Sequence, residues 1–328
     1  MTGGLNNNNP LVTLIVPAHN SERFLGRCLN SLVSQSYRNL EIIVVVNACN
    51  DDTKGVASLF ADSDPRIRVV CTDVPGVSHA RNLALASADG AYVGFADADD
   101  WVESGMVEAM VSAAIARGAD VVCSGKILET PRGAFENSVA DYVSEISADE
   151  FYYGVLMAPY CGAVWNKLFS RRALEGRRFD ESMAIIEDSA FCCALANDEL
   201  RFIAIPGCFY HYVSNDDSAT HDLSCLVTKE GKWAYLEGAL AIQSRANTES
   251  QWHISEDVNC TFAASGVREL AGIAEYEGLH RELRDYLRLH LRSYIGVEKN
   301  RATKVKTLCA LYAPALWHVA RKCAGLIR

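Results

Sequence analysis

The sequence predicts an α/β protein with a mostly parallel central sheet flanked by helices, followed by a helical C-terminal extension. Short apolar runs alternate with helical periodicity through the first third of the chain. These runs are apolar throughout instead of alternating with polar residues, which indicates strands whose two faces are both covered. From Cys225 onward the pattern is helical. With 49% hydrophobic residues among 328, the chain can build a large core.

Five apolar runs are predicted as strands and four amphipathic segments as helices. The strands fall at 11–16, 41–46, 67–71, 91–96 and 120–123. The first predicted helix, 22–35, carries Leu25, Leu29 and Leu32 on one face, and Ser21 is its predicted N-cap. The other predicted helices fall at 51–60, 77–87 and 103–117.

The composition and the missing motifs exclude several classes of protein. The 12 cysteines form no Cys-x-x-Cys pair and no zinc-like cluster, which is typical of reduced thiols in a cytoplasmic protein. No Gly-rich dinucleotide fingerprint follows the first strand and no P-loop occurs, which argues against an NAD-dependent dehydrogenase and a P-loop NTPase. We expect no signal peptide, no membrane span and no nucleic-acid partner for this chain of net charge −10.

Three carboxylates follow the predicted strand 91–96 within four residues, at Asp97, Asp99 and Asp100. Acidic side chains at the exit of a buried strand need a compensating cation. Mg²⁺ and Mn²⁺ prefer oxygen ligands, and Mg²⁺ sites often combine one or two carboxylates with substrate phosphates. The alternative is a solvated turn. For Asp100 we favour a third interpretation, a cap on the next helix.

Other polar residues follow the neighbouring predicted strands, namely His19 and Asn20 after the first and Asn47 after the second. In parallel sheets, ligands bind beyond the carboxyl ends of the strands. The three segments are therefore expected to converge on one site.

The sequence resembles the family 2 glycosyltransferases in seven segments that occur in the family's order and spacing. The segments are 12–20, 28–37, 40–45, 76–82, 95–101, 165–168 and 187–188. The resemblance implies the GT-A nucleotide-sugar-binding fold and a metal-dependent, inverting transfer. The donor would be a nucleotide-sugar, with a UDP-sugar favoured. The acceptor would be a glycan or a lipid-linked molecule in surface polysaccharide biosynthesis, and the enzyme a hexosyl- or N-acetylhexosaminyl-transferase.

The composition, the helical pattern and the resemblance together predict a domain organisation. Residues 1–10 are a predicted disordered lead. Residues 11–222 form the predicted glycosyltransferase domain, with a nucleotide-binding part at 11–125 and an acceptor part at 126–222. Residues 223–328 form a helical C-terminal region that is basic from 279.

The acidic positions of the motifs carry the chemistry that the resemblance implies. Asp99 would ligate Mn²⁺ or Mg²⁺, and Asp97 would bind the ribose of the donor or assist at the metal. Asp188 would be the catalytic base that takes the proton from the acceptor hydroxyl, although a residue at that position can also be the N-cap of the next helix. Glu187 would bind the acceptor or exchange roles with Asp188.

The nucleotide-binding residues implied by the resemblance are Pro17, His19, Asn20, Asn47, Arg81 and Asn82. His19 would stack on the base, and Arg81 with Asn82 would reach the nucleotide or diphosphate; a surface ion pair is the alternative for Arg81. Asn47 stands where the family usually has acids, and its amide can either accept from a base or donate to it.

Three further positions have open interpretations. Trp165 and Lys167 would border the acceptor, but Trp165 can equally be a core residue. His211 stands where the family often has tyrosines, and it is either a further metal ligand or a structural histidine.

The C-terminal region is the basic part of an acidic chain. Residues 279–328 hold 11 Lys and Arg against 3 Asp and Glu, which gives +8 there and −18 for the rest. We expect either peripheral contact with an anionic membrane through 279–328, on the cytoplasmic face, or a homodimer interface. Two rival functions are considered. A sugar-1-phosphate nucleotidyltransferase would need a Gly-rich loop after the first strand, which this sequence does not have. The other rival is a catalytically degenerate nucleotide-sugar-binding scaffold.

Overall fold

A computed structural model describes residues 9–157, 159–183, 185–214, 226–228, 231–249, 256–271, 273–298 and 301–323. The chain forms two compact units, Met1–Ser218 and Ala219–Arg328. The predicted boundary at 222–223 and most of the predicted lead at 1–10 fall outside the described residues, so the predicted domain limits stay predictions.

The described residues of the first unit contain a ten-stranded sheet. Its strands are β1 Val12–Ala18, β2 Leu40–Asn47, β3 Ile67–Thr72, β4 Tyr92–Phe95, β5 Trp101–Val102, β6 Val121–Thr130, β7 Gly133–Asn137, β8 Ser144–Ile146, β9 Lys167–Ser170 and β10 Phe202–Val213. The order is β3-β2-β1-β4-β9-β6-β10-β5, with β7 beside β6 and β8 beside β10.

The sheet is parallel in one half and mixed in the other. All pairs within β3-β2-β1-β4 are parallel, whereas β9 runs antiparallel to both β4 and β6. Strands β6 and β10 are again parallel. The α/β class and the central sheet predicted from the apolar runs are therefore confirmed, and the antiparallel insertion of β9 was not foreseen.

Helices cover the sheet of the first unit. They are α1 Leu25–Val33, α2 Thr53–Ser63, α3 Val77–Leu85, α4 Met106–Arg117, α5 Ala148–Met157 and α6 Glu187–Leu195. On α1, Leu25, Cys28 and Leu29 are fully buried, as the apolar period predicts. Because α1 and β1 belong to one continuous core, the loop that joins them is held at the edge of the sheet.

Helix α1 begins three residues later than predicted, and the predicted N-cap at Ser21 is wrong. The Ser21 hydroxyl donates to the His19 carbonyl at 2.9 Å and makes no bond to the helix. The Ser21 carbonyl accepts from the backbone N–H groups of Phe24 and Leu25, both at 2.9 Å. A turn therefore precedes the helix, because short polar side chains compete for nearby backbone groups.

The carboxyl ends of β1, β2 and β4 meet at one edge of the sheet. Ala18 at the end of β1 pairs with Val46 near the end of β2, and Ile15 pairs with Phe95 at the end of β4. The segments that follow these strands are therefore neighbours, as a parallel sheet requires.

The described part of the second unit is helical. Its helices are α7 Ala234–Glu249, α8 Glu256–Leu270, α9 Glu277–Leu289, α10 Leu291–Val297, α11 Arg301–Tyr312 and α12 Pro314–Cys323, with a 3₁₀ turn at Ala274–Tyr276. The extension predicted as helical is thus confirmed. No helix among the described residues combines the length and the apolar character that crossing a membrane requires.

The core of the second unit forms around Trp233. This side chain is 2% exposed, and its Nε1–H donates to Ser265 Oγ at 3.1 Å and to the Phe262 carbonyl at 3.2 Å. Leu283 and Leu287 of α9, which lie four residues apart, are both buried, so one face of this helix packs inward.

Replacing Gly266 with Val should destabilise the second unit. A Cβ at Gly266 would lie 2.6 Å from Leu283 Cδ1 and 3.0 Å from the Trp233 ring, so the added branches would force the helices apart. Such overpacking typically costs about 1–3 kcal/mol of unfolding free energy. Urea denaturation followed by circular dichroism should give an earlier midpoint for this variant.

Gly278→Ala in α9 is the matched control. No atom lies within 4 Å of a Cβ placed there, and the substitution should leave the midpoint unchanged or raise stability by up to about 1 kcal/mol. Equal midpoints for Gly266→Val and Gly278→Ala would contradict the tight packing of α8 on α9.

Candidate active site

A single buried guanidinium joins three acidic side chains from distant parts of the first unit. Arg81 on α3 is 3% exposed. Its Nη1 donates to Asp188 Oδ1 at 2.6 Å and to Glu187 Oε1 at 2.8 Å, and its Nη2 donates to Asp97 Oδ1 at 3.2 Å. The Arg81 cluster, meaning these four residues, therefore ties the exit of β4 to the start of α6.

The Arg81 cluster contains more negative than positive charge when all three acids are ionised. Burial on its own would lower the pKa of Arg81, but Asp188, Asp97 and Glu187 raise it above its ordinary value. Burial raises the pKa of Asp97 and of Asp188, while Arg81 lowers both and neighbouring carboxylates raise them further. The Nε–H of Arg81 is buried without an acceptor in the described part of the chain.

Asp188 lies in the first turn of α6 and does not cap it. Its Oδ1 is bound by Arg81, and its Oδ2 accepts from the backbone N–H of Val164 at 3.4 Å. The residue at the N-cap position is Ile186, which makes no side-chain bond to the helix. The alternative interpretation of Asp188 as an N-cap is therefore wrong, and its carboxylate binds Arg81 instead.

Backbone strain is concentrated in the segments that carry the candidate site residues. The non-glycine residues of positive φ in the described chain are Asn20, Ala48, Cys161 and Ile186. Ile186, with φ 53°, directly precedes Glu187, and a β-branched residue in this region is a genuine outlier. Such strain persists where surrounding contacts over-determine the backbone, as is common at active sites.

The loop after β4 is anchored by Tyr210 of β10. The Asp97 N–H donates to Tyr210 Oη at 2.9 Å, and the Tyr210 hydroxyl donates to Asp100 Oδ2 at 2.8 Å. Asp100 Oδ1 accepts from the Val213 N–H at 2.8 Å. Burial, with the charges of Asp97 and Asp99, raises the pKa of Asp100.

The prediction that Asp100 caps the next helix is wrong. Helix α4 begins at Met106, six residues further on, and its N-cap residue is Gly105. Both Asp100 oxygens are bound by β10 instead. Asp100 therefore holds the loop after β4 through partners that lie more than a hundred residues away in the sequence. This loop also carries Asp97 and Asp99.

Asp97 and Asp99 are suited to hold a divalent cation together with a ligand. Both are partly exposed at the edge of the sheet, in contrast to Asp100, which is 1% exposed. Among the described residues no group of three or more His, Cys, Asp or Glu could hold a metal ion. Two carboxylates with substrate phosphates and water form a typical Mg²⁺ site, so the chemistry of this donor set fits Mn²⁺ or Mg²⁺, and the role of Asp97 and Asp99 as ligands stays a prediction.

His211 has a different environment from that of a ligand beside Asp97 and Asp99. Its Nδ1 lies 2.8 Å from Glu129 Oε1, and its Nε2 lies 2.9 Å from Glu103 Oε1. Its ring stacks on Trp101 with 3.4 Å between centroids. Both ring nitrogens thus have protein partners, which agrees with the structural interpretation, and its role as a ligand stays a prediction.

The residues after β1 bind the loop after β2. His19 Nδ1–H donates to the Asn47 carbonyl at 2.7 Å, and its Nε2 then accepts from Asn20 Nδ2 at 3.1 Å. Asn20 Oδ1 accepts from the Asn50 N–H at 2.8 Å. His19 and Asn20 are exposed and half-buried Pro17 precedes them, so this segment is accessible to a ligand.

Asn47 and Asn82 are used mainly inside the protein. The Asn47 amide donates to the Val74 carbonyl at 2.7 Å and accepts from the Gly76 N–H at 3.1 Å. The Asn82 amide donates to the Phe179 carbonyl and to Glu181 Oε1, both at 2.9 Å. Both side chains therefore shape loops beside the site, and their predicted contacts with the nucleotide stay predictions.

Trp165 and Lys167 hold the loop in front of α6. Trp165 is 4% exposed and stacks on Tyr210 with 4.2 Å between ring centroids, so it belongs to the core. Lys167 is fully buried, and its ammonium donates to the carbonyls of Tyr160, Cys161 and Ala163 and to Asn166 Oδ1 at 2.7–2.9 Å. These contacts give both residues structural roles, and their predicted contact with an acceptor stays a prediction.

Sequence reasoning missed two residues that organise the site. Tyr210 carries the bridge between Asp97 and Asp100, and Glu181 connects Asn82 to His79, whose Nδ1 lies 3.1 Å from Glu181 Oε2. The sequence signal near Tyr210 is the run of aromatic residues and histidine at 209–212, which does not single out Tyr210. Nothing in the sequence pattern indicates Glu181.

Comparison with known families finds a match within the first unit. Residues 13–154 match the model of the family described as glycosyl transferase family 2. Glycosyltransferase GlyA of Streptococcus pneumoniae is 30% identical over 184 residues, which are 52% of this chain and 26% of GlyA. The uncharacterized glycosyltransferase EpsJ of Bacillus subtilis is 30% identical over 226 residues, 64% of this chain and 63% of EpsJ. The chain thus spans less than two thirds of either relative.

Solved structures share the fold at low sequence identity. Residues 1–349 of Staphylococcus aureus TarS, in complex with UDP-GlcNAc, superpose with a TM-score of 0.63 at 17% identity, covering 95% of this chain and 91% of that one. The mannosyltransferase PcManGT of Pyrobaculum calidifontis, in complex with GDP-Man and Mn²⁺, gives 0.53 at 20% identity, covering 94% and 87%. Residues 13–154 therefore match the family 2 glycosyltransferases, and the first unit has the GT-A fold of these solved structures.

Proposed function

We propose that this protein is an inverting glycosyltransferase that moves a hexosyl or N-acetylhexosaminyl group from a nucleotide-sugar to a hydroxyl of a glycan or lipid-linked acceptor. A UDP-sugar is the favoured donor, Mn²⁺ or Mg²⁺ is the cofactor, and surface polysaccharide biosynthesis is the setting. The observation that carries the proposal is the Arg81 cluster. In it, one guanidinium binds both the predicted base Asp188 and the predicted donor-site acid Asp97.

Asp188 is the general base in this proposal. Arg81 fixes Oδ1 at 2.6 Å, which leaves Oδ2, with its long contact of 3.4 Å to Val164 N–H, to accept the proton of the acceptor hydroxyl. Burial raises the pKa of Asp188, which brings its basicity closer to neutral pH. The ionised form remains available because Arg81 opposes that rise.

Asp97 and Asp99 hold the donor side of the site. A bound Mn²⁺ or Mg²⁺ would stabilise the negative charge that develops on the departing diphosphate. Asp97 is oriented by Arg81 through Oδ1, and its backbone is fixed by Tyr210, so its second oxygen can bind the donor ribose or the cation.

The ligands of two structural neighbours support a nucleotide-sugar donor. The TarS structure contains UDP-GlcNAc, and the PcManGT structure contains GDP-Man and Mn²⁺. These ligands differ in base and sugar, so neither is transferred to this chain by likeness alone. UDP stays first in our order of tests because the resemblance of the sequence favours a UDP-sugar; the Asn47 amide itself is bound to Val74 and Gly76.

Nucleotide binding should raise the melting temperature only in the presence of metal. Purified protein is heated with UDP, GDP or CDP, each with Mn²⁺ and with EDTA. A ligand at a hundredfold excess over its dissociation constant stabilises the folded state by about 2.7 kcal/mol. We expect a shift with UDP and Mn²⁺ that EDTA abolishes, and its loss in Asp99→Ala.

Asp62→Ala, which removes an exposed acid from α2, is the control and should keep the full shift. A melting-temperature shift of equal size in Asp99→Ala would contradict the assignment of Asp99 as a metal ligand. Strong nucleotide binding without transfer to any acceptor would favour the degenerate scaffold.

Asp188→Asn should abolish transfer and preserve donor binding. The amide keeps the shape of the carboxylate but cannot take a proton, and general base catalysis typically contributes about 100- to 10,000-fold to the rate. In the unsubstituted protein, kcat/KM should rise with pH through the elevated pKa of Asp188 and then level off, because only the ionised carboxylate is a base. Transfer of a radiolabelled sugar measures both.

The exposed Asp198, which follows α6, provides the control Asp198→Asn, whose rate should stay unchanged. Loss of the nucleotide-dependent melting shift in Asp188→Asn would instead assign Asp188 to donor binding.

Tyr210→Phe should weaken metal-dependent nucleotide binding by disordering the loop after β4. The change removes the hydroxyl between Asp97 N–H and Asp100, and an unsatisfied buried polar group costs about 1–3 kcal/mol. The nucleotide dissociation constant by calorimetry should rise, together with a lower melting temperature. Tyr142→Phe, at a side chain that is 72% exposed, is the control. Unaltered binding in Tyr210→Phe would refute the anchoring role of Tyr210.

A further inference from the structure

One face of helix α11 is buried inside the second unit. Thr307, Ala310 and Leu311 are completely buried. The Thr307 hydroxyl lies 2.7 Å from Arg268 Nη1 and 2.8 Å from Tyr294 Oη, so it connects α11 to α8 and α10. This inner face therefore fixes the orientation of the helix.

The opposite face of α11 is exposed and apolar. Ala302, Val305, Cys309 and Tyr312, here called the α11 stripe, are all exposed, and Val305 and Tyr312 are each 59% exposed. Their spacing of three, four and three residues puts them on one side of the helix. Single exposed apolar residues are ordinary, but an aligned row over three turns is typical of a binding surface.

Helix α12 repeats this division. Trp317 Nε1–H donates to the Arg268 carbonyl at 3.1 Å, and His318 Nδ1 lies 3.1 Å from the Ala271 carbonyl, so both face α8. Val319 is 58% exposed. Consecutive helices thus each present apolar side chains to solvent while their other sides are bound within the unit.

The charge of this segment decides which partner fits. Residues 301–323 contain five Lys and Arg and no Asp or Glu. Lys306 is exposed within α11, and the guanidinium of Arg288 lies 5.6 Å from the centre of the Tyr312 ring. Arg288 also pairs with Asp285 of α9 at 3.3 Å, so the excess of positive charge beside the α11 stripe comes from α11 and α12 themselves.

A second copy of the chain is a poor partner for such a surface. A two-fold interface would bring the same cations of α11 from both copies together, and α11 and α12 contain no acid that could pair with them. An anionic lipid surface instead matches both properties, because apolar side chains enter the headgroup boundary while Lys and Arg contact the phosphates.

We propose that the α11 stripe is a docking surface for an anionic lipid bilayer. Val305, Cys309 and Tyr312 enter the interface, and Lys304, Lys306 and Arg288 bind the lipid phosphates. The helices lie on the membrane and do not cross it, since their inner faces are bound to α8. The surface belongs wholly to the second unit and acts independently of the Arg81 cluster.

Co-sedimentation of the full chain with sucrose-loaded vesicles tests the proposal. Vesicles of phosphatidylglycerol and phosphatidylcholine should bind the protein, and pure phosphatidylcholine vesicles should not. Each Lys or Arg near an anionic surface contributes enough that Lys304→Glu with Lys306→Glu should weaken binding at least about thirtyfold. Val305→Asn with Tyr312→Ser should also weaken it, and high salt should weaken binding of the unsubstituted chain.

Matched controls come from the first unit. Lys54→Glu with Arg132→Glu makes the same charge change at exposed positions, and Leu59→Asn removes an apolar side chain that is 69% exposed. Both should bind like the unsubstituted chain. Circular dichroism should show that all variants keep their helices.

Three outcomes would overturn the proposal. Equal binding by the α11 variants and the controls would remove the stripe from the contact. Equal binding to anionic and neutral vesicles would remove the role of charge. A dimer in sedimentation velocity that dissociates in Val305→Asn with Tyr312→Ser, without lipid present, would assign the stripe to an interface between copies.

Discussion

The burial of the Arg81 guanidinium is the constraint on which the first unit depends. A buried cation without partners is very costly, so α3, the loop after β4 and the start of α6 must converge to supply Asp97, Glu187 and Asp188. The same convergence joins the parallel half of the sheet to the part of the chain that follows β9. Stability and chemistry are therefore coupled here, because the acids that neutralise Arg81 are also those that a transfer reaction would use.

The elements and the edge of the sheet that carries the site follow from the sequence, whereas the partners within the site do not. Continuous apolar runs predict β1 to β4, and a parallel sheet then brings Asp97 and His19 to one edge. The clustering of Asp188 with Arg81 depends on residues 107 positions apart, which no local pattern reports. Motif resemblance identified both residues, but it could not reveal that they bind each other.

The capping predictions failed for a common physical reason. Ser21 and Asp100 have the side chains that caps prefer, yet each is bound elsewhere, Ser21 to the His19 carbonyl and Asp100 to Tyr210 and Val213. Lys167 is a similar case. Its charge suggested contact with an acceptor, but its ammonium is bound by backbone carbonyls inside the protein. A helical C-terminal region was predicted from the sequence, but which face of α11 is buried became known only from the contacts of Thr307.

The position of β9 has a consequence for how the protein is made. Strands β1 to β4 are complete once residue 95 has been synthesised, yet β9, which pairs with the open edge of β4, begins at Lys167. At about 5–20 residues per second, Asp188 follows Arg81 out of the ribosome by roughly 5 to 20 seconds. During that interval the nascent chain carries both an uncovered strand edge and an arginine whose carboxylate partners on α6 do not yet exist. Chaperone protection in this window would therefore serve the Arg81 cluster as much as the sheet.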